Sequence, residues 1–199
     1  MSKQNSENKE SVSRIANTEV LHKQDNKTSK KNKSGWIDWL IQGVVLVLVF
    51  LAITWWQQRN MLPAEKEQSA PAFTLVNMQN NLIEFNPNQQ TKKTLIYFFA
   101  TWCGVCHASI DNIEAIKKST GDSVNFYAIA LDWKSKEEIQ LFLEQHKLTV
   151  PVLMGTRSVW EDYKISGFPS YYVIDEQGKI AFKDMGYTTE LGMRLRLLL

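Results

Sequence analysis

Residues 94–107 read Thr94-Leu95-Ile96-Tyr97-Phe98-Phe99-Ala100-Thr101-Trp102-Cys103-Gly104-Val105-Cys106-His107. The run up to Phe99 is short, continuous, β-branched and aromatic, which predicts a buried strand over Thr94–Phe99. From Val105 to about Lys118 the spacing turns helical, with Cys106, Ile110 and Ile113 on one face. Cys103 then falls where a strand hands over to a helix N-terminus. Unpaired backbone N–H groups and the positive end of the helix dipole favour a thiolate at that point. Cys103 and Cys106 are the only two cysteines of the chain, so a redox-active dithiol is the leading reading.

Other chemistries compete for the pair. A structural disulfide across so short a loop removes little entropy from the unfolded chain. A structural zinc site needs about four ligands, and besides the two cysteines the chain offers only His22, His107 and His146. His146 reads as the wet edge of a later helix. Cys103-Gly104-Val105-Cys106-His107 also satisfies the C-x-x-C-H pattern of c-type haem attachment. An extracytoplasmic haem or metal carrier using Cys103, Cys106 and His107 is therefore the alternative to thiol–disulfide exchange. In the exchange reading an exposed Cys103 attacks and Cys106, one helical turn on, resolves the mixed disulfide. That reading needs no metal and no cofactor.

Around this centre the chain of 199 residues holds one domain of ordinary size with appendages. A formal net charge of +2 gives no global basicity for nucleic acid. Residues 1–35 are polar and read as a disordered tail. Lys23, Lys27, Lys30, Lys31 and Lys33 cluster near its end without interleaved aromatics, so no nucleic-acid partner is expected. Residues 36–56 carry no charge from Leu40 to Trp56 and have Trp36, Trp39, Trp55 and Trp56 at the two ends. This predicts a transmembrane helix with interfacial aromatic belts. Bulky Trp55 and Trp56 stand where a signal peptide would have a small-residue cleavage site. The lysines before the span place the N-terminus in the cytoplasm and the rest outside the inner membrane, single-pass. Residues 57–67 read as a linker.

Residues 68–199 form the globular part. Phe73–Val76 and Leu82–Phe85 read as a hairpin around Asn77–Asn81, and Asn86–Lys93 as a loop. Val124–Leu131 is a second buried strand. Ser135 and Glu138 have capping-box spacing at the start of a helix running to His146. Val150–Met154 reads as a short strand and Arg157–Tyr163 as one or two helical turns. Ser170–Ile174 and Lys179–Lys183 pair around Asp175–Gly178, and Thr189–Leu199 closes the chain as a helix. Alternating strands and helices followed by a hairpin and a helix indicate an α/β fold with a central mixed sheet.

Trp102-Cys103-Gly104-Val105-Cys106 after its strand resembles the thioredoxin active site, and Gly167-Phe168-Pro169-Ser170 resembles the cis-proline loop of that fold. Ala70-Pro71-Ala72-Phe73-Thr74-Leu75 with the early hairpin resembles the TlpA/ResA/DsbE-like family of membrane-tethered thioredoxins. The resemblance implies a thioredoxin-like fold with helices flanking a mixed sheet. It implies Cys103 as nucleophile and Cys106 as resolving thiol, with Gly104 and Val105 tuning the potential. Trp102 and Phe168 would flank the site, and Pro169, in cis, would present backbone to a substrate strand. The implied partners are proteins with disulfides or thiols and a transmembrane electron donor, the chain acting as a monomer. Two acids of the family are missing: Tyr97 stands at the buried acid of thioredoxin, and Ser109 at the glutamate of many TlpA-like reductases. Val105 replaces a common proline. In these departures the pattern resembles the copper-sensitivity suppressor (ScsD-like) branch.

Overall fold

The computed structural model describes residues 35–58, 61–62 and 68–198. The tail predicted over 1–35, all but its last residue, lies outside the described residues. Helix α1 spans Gly35–Gln58. Its described apolar side chains, from Trp36 to Ile53, are exposed. Among the described residues no helix is long and apolar enough to cross a membrane. The side chains described without a break on α1 are those of Asp38–Ile53, and those of Ile37 and Thr54–Trp56, part of the predicted span, lie outside the described residues.

The domain is built on a seven-stranded mixed sheet: β1 (Phe73–Asn77), β2 (Leu82–Phe85), β3 (Lys93–Phe99), β4 (Val124–Ala130), β5 (Val152–Met154), β6 (Ser170–Ile174) and β7 (Ile180–Met185), in the order β2-β1-β5-β4-β3-β6-β7. The central strand, β3, pairs in parallel with β4 and antiparallel with β6. Its run from Thr94 to Phe99 is buried on both faces, as a central strand covered on both sides must be. Alternate residues feed two cores. Leu95, Tyr97 and Phe99 join Cys106, Ile110, Ile113, Phe142 and Met193, whereas Ile96 and Phe98 join Phe73, Phe85, Val159, Tyr163 and Tyr172.

Five local signals set the helices and turns. Helix α2 (Gly104–Thr120) starts at Cys103 and stops at Gly121, whose φ of +55° lies where glycine is at ease. Ser135 caps α3 (Lys136–His146) through its hydroxyl and the Glu138 N–H. Thr156 caps α4 (Arg157–Asp162) in the same way. Helix α5 (Glu190–Leu198) closes the domain with Met193 and Leu197 inward. At the tip between β6 and β7, Gly178 has φ +76°, and a Cβ there would lie 2.1 Å from the Pro87 carbonyl oxygen.

The structure differs from the sequence reading at several points outside the site. The loop after β2 holds a 3-10 turn at Pro87–Gln89, capped by Asn86 with proline at its first position. Strand β5 begins at Val152 and not at Val150, because Pro151 has no N–H for the ladder; its carbonyl still accepts from Ala128. Strand β7 runs on to Met185, carried by pairing of Tyr171 with Asp184 and Ser170 with Met185. In the stretch read as a linker, Met61 and Leu62 are buried in the second core, and the Leu62 N–H donates to the Tyr172 hydroxyl at 3.3 Å.

Candidate active site

The site sits where β3 ends. The chain turns through Ala100, whose carbonyl accepts from the Cys103 N–H at 3.1 Å, and α2 begins. Cys103 is the N-cap residue of α2 and is joined to Cys106 in a disulfide, with the Cα atoms 5.2 Å apart. The Cys106 N–H donates to Cys103 Sγ at 3.1 Å, and the His107 N–H to the Cys103 carbonyl at 3.1 Å. One of the orphan donors of the helix therefore already points at the sulfur. On reduction that N–H and the helix dipole favour negative charge there. Sequence reasoning expected an exposed nucleophile. Cys103 is instead only 6% exposed in the disulfide, and Cys106 is fully buried. The exposed parts of the rim are Trp102, at 61%, Gly104, and Val105, at 45%.

Trp102 is held at both ends. Its Nε1–H donates to Asp132 Oδ2 at 3.0 Å, and its ring meets Phe168 edge to face at 5.9 Å. Phe168 in turn meets Trp160 at 5.2 Å, so one half-buried phenyl sits between two indoles. The Phe168–Pro169 peptide bond is cis. Ser170, next in the chain, pairs with Phe98 on β3, which places the proline loop beside the end of the strand that carries the cysteines. Pro169 has no N–H, and its carbonyl already accepts from Gly186 at 2.8 Å.

The two missing acids turn out to be partners. Tyr97 and Ser109 are both fully buried, with the phenol and the hydroxyl 2.8 Å apart, and Ser109 Oγ also donates to the Val105 carbonyl at 2.9 Å. Burial pushes the Tyr97 phenol well above its ordinary value, against a smaller opposing effect of the Ser109 hydrogen bond. This side of Cys106 is thus neutral and dry.

Sequence reasoning missed the contacts that tie the active-site loop and α2 to α3. The Thr101 hydroxyl donates to the Glu138 carboxylate, which also accepts from the Lys134 N–H. The hydrogen bond from Thr101, then that from Lys134, holds Glu138 below the ordinary carboxylate value. Glu138 was legible as a capping-box residue, but its carboxylate reaches toward the active-site loop and only the Ser135 half of the box forms. His107 Nδ1 lies 2.8 Å from His146 Nε2, and His107 Nε2 lies 2.9 Å from the Thr101 carbonyl. His146 is no wet edge: its side chain is 8% exposed and its Nδ1 lies 3.0 Å from Asp111 Oδ1. No local pattern signals this contact across 39 residues.

The haem alternative fits these residues poorly. Both nitrogens of His107 are committed within the fold, and the two sulfurs that would attach a porphyrin are bonded to each other. Among the described residues no group of three His, Cys, Asp or Glu side chains is placed to hold a metal ion.

A strand ending in a capped disulfide beside a cis-proline loop defines a thioredoxin-like protein of thiol–disulfide chemistry. The chain belongs to the Redoxin family, which it matches over residues 65–193. It is 25% identical over 160 residues to thioredoxin-like protein YneN of Bacillus subtilis, covering 77% of this chain and 94% of that one. It is 24% identical over 169 residues to the thiol-disulfide oxidoreductase ResA of Bacillus cereus, covering 81% and 92%. A thiol:disulfide interchange protein of Chlorobium tepidum has the same fold, with a TM-score of 0.59 at 21% identity over 66% of this chain and 94% of that one. The chain is a thioredoxin-like protein disulfide oxidoreductase.

Proposed function

We propose that this chain is a membrane-tethered oxidoreductase that exchanges electrons with disulfides or thiols of envelope proteins through Cys103 and Cys106. The observation that carries the reading is the disulfide at the start of α2, with Cys103 Sγ accepting a helix N–H. In this proposal Cys103 attacks and Cys106 resolves. Trp102, Gly104, Val105, Phe168 and Pro169 form the surface that meets the substrate, and Gly104 and Val105 tune the potential. A transmembrane protein delivers the electrons, and the chain works as a monomer. Residues 36–56 anchor it in the inner membrane, with 1–35 in the cytoplasm, 57–67 as linker and 68–199 outside. The anchor is supported by the uncharged run from Leu40 to Trp56, the terminal tryptophans and the preceding lysines. Within the family we place the chain in the ScsD-like branch, supported by Tyr97, Ser109 and Val105 at the departing positions.

Fractionation of cells combined with thiol labelling tests topology and chemistry together. The chain is expected in the membrane fraction, released by detergent but not by high salt. After mild reduction, Cys103 should react in intact cells with a maleimide that cannot cross the inner membrane. Recovery in the soluble fraction, or labelling only after lysis, would sink the tethered extracytoplasmic reading.

A further inference from the structure

The hydrogen bonds around His107 and His146 count protons. The Thr101 carbonyl can only accept, so His107 Nε2, 2.9 Å away, carries a hydrogen. Asp111 faces His146 Nδ1 at 3.0 Å, and an ionised carboxylate can only accept, so that nitrogen carries one as well. The two nitrogens that remain, His107 Nδ1 and His146 Nε2, face each other at 2.8 Å. In two neutral rings both would be bare lone pairs, and nothing would hold them at hydrogen-bond distance. One further proton between them satisfies every atom. Moving a proton along the row onto Asp111 changes which group carries it and leaves the total the same. Phe142 packs against both rings, with centroids at 4.6 and 4.7 Å, and excludes water from one side.

From this geometry we infer that His107 and His146 hold one shared proton as an imidazole–imidazolium pair, and that its charge acts on the active-site dithiol as a positioning element. The pair is tied to the loop that carries the nucleophile: His107 bonds the Thr101 carbonyl through its ring and the Cys103 carbonyl through its backbone N–H. In the core that holds Cys106, Tyr97 and Ser109 make a neutral contact. Other charged groups of this region are Asp111, Glu114 and Lys118 on α2, and Glu138 and Lys147 around α3. Of these, Asp111 meets the pair at the end of the row away from Thr101, and Glu138 holds the Thr101 hydroxyl.

The inference rests on the exchange chemistry of Cys103 and Cys106. When a donor dithiol reduces the disulfide, the Cys103–Cys106 bond breaks, the donor's own disulfide forms, and two electrons pass to the pair. Two protons leave the donor thiols: one goes to Cys106, and the other to solvent while Cys103 remains a thiolate. A positive charge fixed near the loop favours that thiolate.

Two measurements on the full chain test this. Nitrogen-15 spectra of the imidazoles near pH 6.5 should show three N–H groups shared by His107 and His146. Two N–H groups in total, from two neutral rings, would overturn the shared proton whatever the activity. The second measurement compares wild type with His146→Phe, following thiolate absorbance of the reduced protein against pH. Below the midpoint of Cys103 ionisation the thiolate fraction should fall roughly three- to tenfold in the variant. Superimposable titrations, with or without lost stability, would leave the pair a merely structural contact and overturn its role. Failure of the dithiol to exchange with any disulfide would instead strike the oxidoreductase reading and leave the proton count standing.

Discussion

Helix α2 has two faces of opposite chemistry, and Cys106 lies on the inner one, beside Ile110 and Ile113. One face carries Ser109, Ile110, Ile113 and Ile116 into the core that Tyr97 and Phe99 share, and its polar contact is a neutral hydroxyl pair. The other carries His107, Asp111, Glu114 and Lys118 at helical spacing, toward His146 and Thr149. The inner face packs into that core and keeps Cys106 fully buried. The outer face carries His107, whose ring reaches the loop before Cys103 at the Thr101 carbonyl.

The sharpest way to break this comparison is at the cysteines themselves. Cys103→Ala should abolish disulfide exchange, and Cys106→Ala should trap Cys103 in a mixed disulfide visible on a non-reducing gel. Exchange that survives Cys103→Ala would remove the centre on which both faces converge.

Next comes the outer face. Burial raises Glu114, but hydrogen bonds from the Thr149 hydroxyl and from the Thr149 and Val150 N–H groups outweigh it, so its carboxyl lies below the ordinary value. A depressed carboxylate contributes stability above its unfolded value and loses it as pH falls through the folded one. Glu114→Ala should cost about 3 kcal/mol in urea unfolding at neutral pH, since it orphans several donors of a charged acceptor. The deficit of Glu114→Gln should shrink as the pH is lowered from about 5. A deficit independent of pH would remove the charge from the account.

The inner face should respond most weakly, and unequally. Ser109→Ala leaves the buried Tyr97 hydroxyl without its partner and should cost about 1–2 kcal/mol. Tyr97→Phe leaves Ser109 still bonded to the Val105 carbonyl and should cost about 1 kcal/mol or less. Neither should move the pH profile of exchange, and a shift in either would mean that this face is not neutral in function.

Much of this was legible in the sequence because it is local. The run from Thr94 to Phe99, the start of α2 at the cysteines, the Ser135 cap and the hairpin around Gly178 all follow from period, caps and turn residues within a few positions. Pro169 was legible through the resemblance of Gly167-Phe168-Pro169-Ser170 to a cis-proline loop. The rest depends on contacts between distant segments. Tyr97 and Ser109 read as two separate absences, and only the packing of α2 on β3 makes them one contact. His146 read as solvent-facing because helical spacing says nothing of what crosses a helix from outside. Glu138 matched a capping box, yet its carboxylate reaches Thr101 across the fold. Met61 and Leu62 sat in a polar stretch whose composition hides two side chains that join a core.

Helix α3 grips the active-site loop at two points: Glu138 in its first turn holds the Thr101 hydroxyl, and His146 in its last holds the ring of His107. It is a splint about 16 Å long, strapped at both ends to the same short piece of chain. Loosening α3 as a unit breaks both contacts together.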